Sequence, residues 1–269
     1  MDSRLIVCGD SFNIGIGCQN LNTQPYGSLL AKHTDRKLVN LAKGSSTNLS
    51  IWLQVKYAVE ELNANENDII LVNETSSERF NWFPEGVDQN GEITNIDVNY
   101  HDYPPYGNDS YWPHRLPEHP MQHNPNYKGT MITENVAGII DYLDNFAAKG
   151  YNQRGMYYNR LVDEPLSKLK LIKDFYLSVY NENLSQLQSR SMMVMCHSLL
   201  RNKNIKHLML VSNVYPYEDL VLKENLTYLS WGELTNKYPD NVNTGHASEQ
   251  GHIEARELII HKLKENGWT

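Results

Sequence analysis

"RLIVCGDSF", from Arg4 to Phe12, is an apolar run that stops abruptly in Gly-Asp-Ser. An unbroken apolar segment of this length suits a strand covered on both faces, as in a parallel sheet. "KLVNLA" (Lys37 to Ala42), "DIILVNE" (Asp68 to Glu74) and "IKHLMLVSN" (Ile205 to Asn213) read the same way. Between the second and third of these strands, Leu49, Trp52, Val55, Val59 and Leu62 recur at helical spacing, with Ser46, Thr47 or Asn48 available as a cap. A helix is also expected after Ser248, ending near Gly267, and a helical region from Pro165 to about Asn202, broken near Asn181 to Asn183. Its stripe is marked by Leu166, Leu169, Ile172, Tyr176 and Val179.

Alternation of this kind predicts an α/β fold, a three-layer doubly wound parallel sheet, with residues 1–269 forming one domain. Residues 79–135 break the rhythm. They are crowded with Pro, Tyr, Asn, His and Gly, and read as an inserted loop or lid beside the sheet's working edge. His101, His114, His119 and His123 fall there, but their spacing fits no standard metal-ligand pattern, so no metal or other cofactor is expected.

The net charge of -8 argues against a nucleic-acid surface, which needs clustered Lys and Arg. No apolar run is long enough to span a bilayer, and the N-terminus lacks the pattern of a secretory signal, so neither membrane insertion nor general secretion is expected. The cysteines, Cys8, Cys18 and Cys196, are odd in number and lack zinc spacing; they read as packed thiols in a reducing compartment, the cytoplasm.

In open parallel sheets, ligands gather at the carboxyl ends of the strands. Ser11 belongs at that edge, a candidate nucleophile if a base reaches it. Gly44, in "NLAKGSSTN", follows the second strand and suits close backbone approach with a free N–H, which acyl transfer needs around a developing oxyanion. His246, in "NTGHASEQGH" before the last helix, is a candidate base.

Taken in order, these three pieces resemble the blocks of the SGNH, or GDSL-type, hydrolase family: strand plus Gly-Asp-Ser (Ile6 to Ser11), Asn-x-Ala-x-Gly (Asn40 to Gly44), and a histidine before the C-terminal helix. The resemblance implies a metal-free serine esterase or acyl hydrolase, extending to carbohydrate O-deacetylases, with Ser11 as nucleophile and His246 as base. The N–H groups of Ser11 and Gly44 would contribute to the oxyanion hole. Expected partners are a small acyl ester or acetylated glycan.

Two blocks depart from the family pattern. Where Gly-x-Asn-Asp is usual, the chain has "TSSE", so Thr75, Ser77 or Asn73 would replace the usual Asn donor. "TSSERFNW" is similar to a variant in SGNH-like proteins of tailed phages, which would place Arg79 beside the site and allow a virion-associated protein. The position three before His246, usually Asp, is Asn243; either Asn243 or Asp240 would orient the histidine. These departures motivate an alternative: a catalytically weak or inactive SGNH-fold protein acting as a binding or phage structural component, with virion or homo-oligomer partners.

Overall fold

A computed structural model describes residues 3–43, 46–77, 79–82, 132–135, 166–241 and 245–269. The elements run β1 (Arg4–Cys8), α1 (Ser11–Ile14), α2 (Tyr26–His33), β2 (Lys37–Asn40), α3 (Asn48–Glu60), β3 (Ile69–Asn73), β4 (Arg79–Trp82), β5 (Ile132–Asn135), α4 (Leu166–Ser178), α5 (Glu182–Asn202), β6 (Lys206–Val211), β7 (Leu226–Tyr228), α6 (Trp231–Lys237) and α7 (Glu249–Glu265). Strands β2-β1-β3-β6-β7, in that spatial order, form one sheet with every pairing parallel.

Of the expected apolar strands, β1, β3 and β6 owe their composition to burial on both faces, while the edge strand β2 is only half-buried. Alternate residues point to opposite sides of a strand. Ile6, Cys8, Ile70, Val72, Met209 and Val211 enter one core, packed by Ile51, Val55 and Ala58 of α3 and Met193, Cys196 and Leu200 of α5. Their neighbours Leu5, Val7, Ile69, Leu71, Leu208 and Leu210 enter a second, packed by α2, α6 and α7 through Leu30, Leu234, Ile259 and Leu263. Two cores divided by one sheet make the three layers. This order is the flavodoxin-like doubly wound arrangement, which switches direction between β1 and β3. The two strand ends that flank the switch are the ones that deliver Ser11 and the Asn73–Thr75 segment.

The helices differ from expectation in detail. Thr47 caps α3, its hydroxyl accepting from the Ser50 N–H at 3.1 Å. Leu49 is exposed, and Ile51 takes the buried position, because α3 packs against both the sheet and α5 and so turns a wider face inward than a single stripe supplies. Asn181 breaks the long helical region by capping α5, but Val179, past the end of α4, is exposed. Strands β4 and β5 pair antiparallel, from Arg79 opposite Asn135 to Trp82 opposite Ile132, and thereby join the two ends of the expected insertion. The loop histidines between them lie outside the described residues.

On the first core's side of the sheet, where α5 packs, two buried histidines are chained. His207 Nδ1 donates to the Ile205 carbonyl at 2.7 Å, so its Nε2 is left to accept from His197 Nδ1, 2.8 Å away. A proton added at His207 Nε2 would set two N–H groups against each other. Burial holds His207 down to about 4 from its ordinary 6.5, and His252 likewise to about 4. The unfolded chain therefore binds protons that the folded chain refuses. Stability present above pH 6.5 is expected to fall as pH drops toward 4, by about 3 kcal/mol for His207 alone. Urea unfolding across that range checks this: His207→Gln should flatten the pH slope, with His252 leaving a remainder of the same sign.

Candidate active site

Ser11 is placed by the way β1 ends. The Gly9 backbone is clasped on both sides by Gln54 of α3, whose Oε1 accepts the Gly9 N–H at 2.7 Å and whose Nε2 donates to the Gly9 carbonyl at 3.1 Å. A Cβ at Gly9 would lie 2.1 Å from Asn13 Oδ1. That oxygen is already engaged, accepting the Asp10 N–H at 2.9 Å, while Asn13 Nδ2 donates to the Tyr26 hydroxyl at 2.7 Å. Asp10 caps α1 by accepting the Phe12 N–H at 3.0 Å. Ser11 is thus the first helical residue after a clamped turn. Its N–H has no hydrogen-bond acceptor among the described residues, as expected for a first-turn donor.

Its hydroxyl is 2.8 Å from His246 Nε2, and both residues are buried. His246 is held by a short antiparallel ribbon. Pro239 bridges Ala247, the Ser248 N–H donates to the Tyr238 carbonyl at 2.8 Å, and the Asp240 N–H donates to the His246 carbonyl at 3.1 Å. In this register Asp240 and His246 are direct cross-strand partners, and such partners project side chains from the same face with Cβ atoms about 4.5–5.5 Å apart. Gly17, at φ +101°, lies against the ribbon's back; a Cβ there would meet the Ala247 carbonyl oxygen at 2.3 Å. The Phe12 ring lies 4.6 Å from the imidazole and stacks on Trp231 at 5.3 Å.

The Asp10 carboxylate also gathers the neighbouring strand ends. Its Oδ2 accepts from the Thr75 hydroxyl at 2.7 Å and pairs with Arg79 Nη1 at 3.0 Å. Arg79 Nη1 also donates to the Ser46 carbonyl at 2.8 Å. Asn48 fastens the Thr75 backbone in both directions at 2.9 Å. The structure therefore brings Ser11, His246, Asp240, Thr75 and Arg79 together, with the Thr75 hydroxyl and the Arg79 guanidinium turned to Asp10. Asn73 is buried with its amide on the Glu74 carbonyl at 2.8 Å and its oxygen accepting from Trp231 Nε1 at 3.1 Å. Ser77 lines the adjoining cleft. Gly44 and Asn243 lie outside the described residues.

That cleft has a volume of about 530 Å³ and begins at Asp10, Phe12 and Thr75. Phe12, which lines the cleft, touches both His246 and Trp231, whereas Ser11 and His246 do not line it. Asp10, Phe12 and Trp231 were not singled out by sequence reasoning. Asp10 was visible inside Gly-Asp-Ser, but the other two carry no local signal, since only the fold brings α1 and α6 together. His252 is fully buried, with Nδ1 accepting the Tyr26 N–H at 3.4 Å, and so belongs to the packing behind the site. Cys8 is likewise core, its thiol pushed up by burial and then by Cys196. Among the described residues, no group of three or more His, Cys, Asp or Glu is arranged to hold a metal, and no helix is long and apolar enough to cross a membrane.

No family model matches the chain. No curated protein sequence matches it. Among solved structures, it is similar to a protein from Desulfitobacterium hafniense DCB-2 assigned to the G-D-S-L lipolytic family, over 97% of this chain and 99% of that one, at 14% identity and a TM-score of 0.30. A superposition that loose carries no argument; the fold class rests on the strand order and the two cores described above.

Gly9→Ala tests the clamped turn. The new methyl must displace an Asn13 side chain that is fixed at both ends, so the variant should lose about 2–4 kcal/mol in chemical denaturation. Gly232→Ala, whose Cβ would meet only the Ser230 hydroxyl at 3.9 Å, is the control expected to stay close to the parent.

Proposed function

We propose that the protein is a serine ester hydrolase that removes short acyl groups, with an acetylated carbohydrate as its expected substrate. The observation that carries this reading is the 2.8 Å contact between Ser11 Oγ and His246 Nε2 at the switch point of a parallel sheet. For Nε2 to take the serine proton, Nδ1 must carry the hydrogen and needs an acceptor. The ribbon register supports Asp240 in that role, because it is His246's cross-strand partner and is buried.

Ser11 Oγ attacks the ester carbonyl as His246 Nε2 takes its proton. The carbonyl oxygen, now negative, is met by the Ser11 N–H, with the Gly44 N–H and the Ser77 hydroxyl as the further expected donors. His246 returns the proton to the departing alkoxide, leaving an acyl-serine. Water, deprotonated by His246, then releases the acid and restores Ser11. Nothing in this sequence calls for a metal or cofactor.

The alternative, a binding or virion structural protein on the same fold, gives no reason for a serine and a histidine to meet in a buried contact. The two readings separate on a fluorophosphonate probe. Labelling is expected in the parent and absent in Ser11→Ala; a folded parent that neither labels nor hydrolyses short aryl esters transfers the protein to the alternative.

Asp240→Ala is expected to lower kcat by about 10²- to 10⁴-fold, the range associated with losing the group that orients a catalytic histidine. Asn243→Ala should cost far less. Steady-state kinetics on a short aryl ester decide this, and the reverse ranking would assign the orienting role to Asn243.

A further inference from the structure

The cleft lined by Phe12 and Asp10, the neighbours of Ser11, is also lined by residues beyond β3 and β6 and along α5, while Ser11 and His246 do not line it. Helix α5 contributes Glu182, Gln186, Ser189 and Arg190, which share one face at helical spacing. Opposite them lie Glu74, at the end of β3, and Ser212, just beyond β6. Glu74 is anchored: its Oε1 accepts from the buried Tyr217 hydroxyl at 2.5 Å, and both the backbone and side chain of Ser212 hydrogen-bond to it. Burial raises its pKa, against the opposing influences of Tyr217, Ser212 and Arg190.

Arg190 is in a different state. Its guanidinium lines the cleft half-buried, near enough for its charge to act on Glu74 and Tyr217. Yet it makes no hydrogen bond and no ion pair within 4 Å with the described residues. A fixed carboxylate thus faces a guanidinium with unused donors across a gap wider than an ion pair.

The chemistry of such a gap is selective. A long acyl chain would meet hydroxyls, amides and charges along most of the wall. An anionic group reaching Arg190 would face Glu74 and Glu182 on a chain of net charge -8. A diol satisfies both sides, with one hydroxyl donating to the carboxylate and the other accepting from the guanidinium.

We propose that Glu74 and Arg190 form a subsite for neighbouring hydroxyl groups, making them specificity-determining residues for esters of polyhydroxylated alcohols. The inference rests on the hydrolase reading for its reaction, but its binding step stands apart from it. With the ester carbonyl at Ser11, the alcohol portion extends past Phe12 and Trp231 toward the Glu74–Arg190 gap.

Two substrates test this: methyl 6-O-acetyl-glucoside, which carries hydroxyls, and 4-nitrophenyl acetate, which carries none. In Arg190→Gln and Glu74→Gln, the ratio of kcat/KM for the glucoside ester to that for the aryl ester should fall roughly tenfold or more, mainly through KM. A ratio unchanged in Arg190→Gln, the half-exposed position least able to disturb folding, overturns the proposal. Calorimetric binding of the glucoside ester to Ser11→Ala protein gives the independent arm. There too, adding Arg190→Gln should weaken binding roughly tenfold, and no binding, or binding indifferent to that change, overturns the subsite. If the parent turns over neither ester, the hydrolase reading fails, and the calorimetric arm still decides the subsite.

Discussion

The carboxylate of Asp10 engages three separate parts of the chain: it accepts from the Phe12 N–H of α1 and the Thr75 hydroxyl beyond β3, and it pairs with the Arg79 guanidinium that opens β4. It is almost wholly buried, and a buried carboxylate is tolerable only where donors surround it. The cost of leaving it unpaired therefore ties the β1 turn to the two segments that follow the switch point. Ser11 is the next residue. Its position follows from a charge that must be satisfied, so the place of Ser11 is set by the buried carboxylate beside it.

The sheet converts that local constraint into a site. Strand order 2-1-3-6-7 puts the carboxyl ends of β1 and β3 side by side, where the chain leaves in opposite directions and opens a crevice. The Tyr238–Ser248 ribbon then closes on α1 from the second core's side, with His246 against Ser11 and Gly17 leaving room for the backbone behind it. Phe12 and Trp231 stack at the same place, so the pair sits beside an aromatic wall while the cleft beyond it is lined by polar groups.

Much of this was legible in the chain. Apolar runs identified β1, β3 and β6 because strands buried on both faces leave no polar period to misread, and the half-buried edge strand β2 through Leu38 and Val39. Gly-Asp-Ser and His246, far apart in sequence, meet as their order suggested. Less was legible where segments are short or contacts distant. Strand β7 and helices α1, α2 and α6 are too brief for a period to emerge, and Leu49 was expected inward because a helix stripe does not reveal how many neighbours a helix has. The pairing of Asp240 with His246 depends on the register of a ribbon, and a one-residue slip would have turned one of the two side chains to the other face.

By itself, then, the sequence determined the layered α/β fold and the identity of the serine and histidine, because both depend on burial patterns and residue chemistry that act locally. Only the tertiary structure decided that Thr75 and Arg79 turn to Asp10, that Phe12 and Trp231 wall the site, and that Glu74 faces Arg190 across a cleft. Those arrangements join strand ends and helix faces that only the sheet's crossover order brings together, and no local periodicity encodes a distance between them.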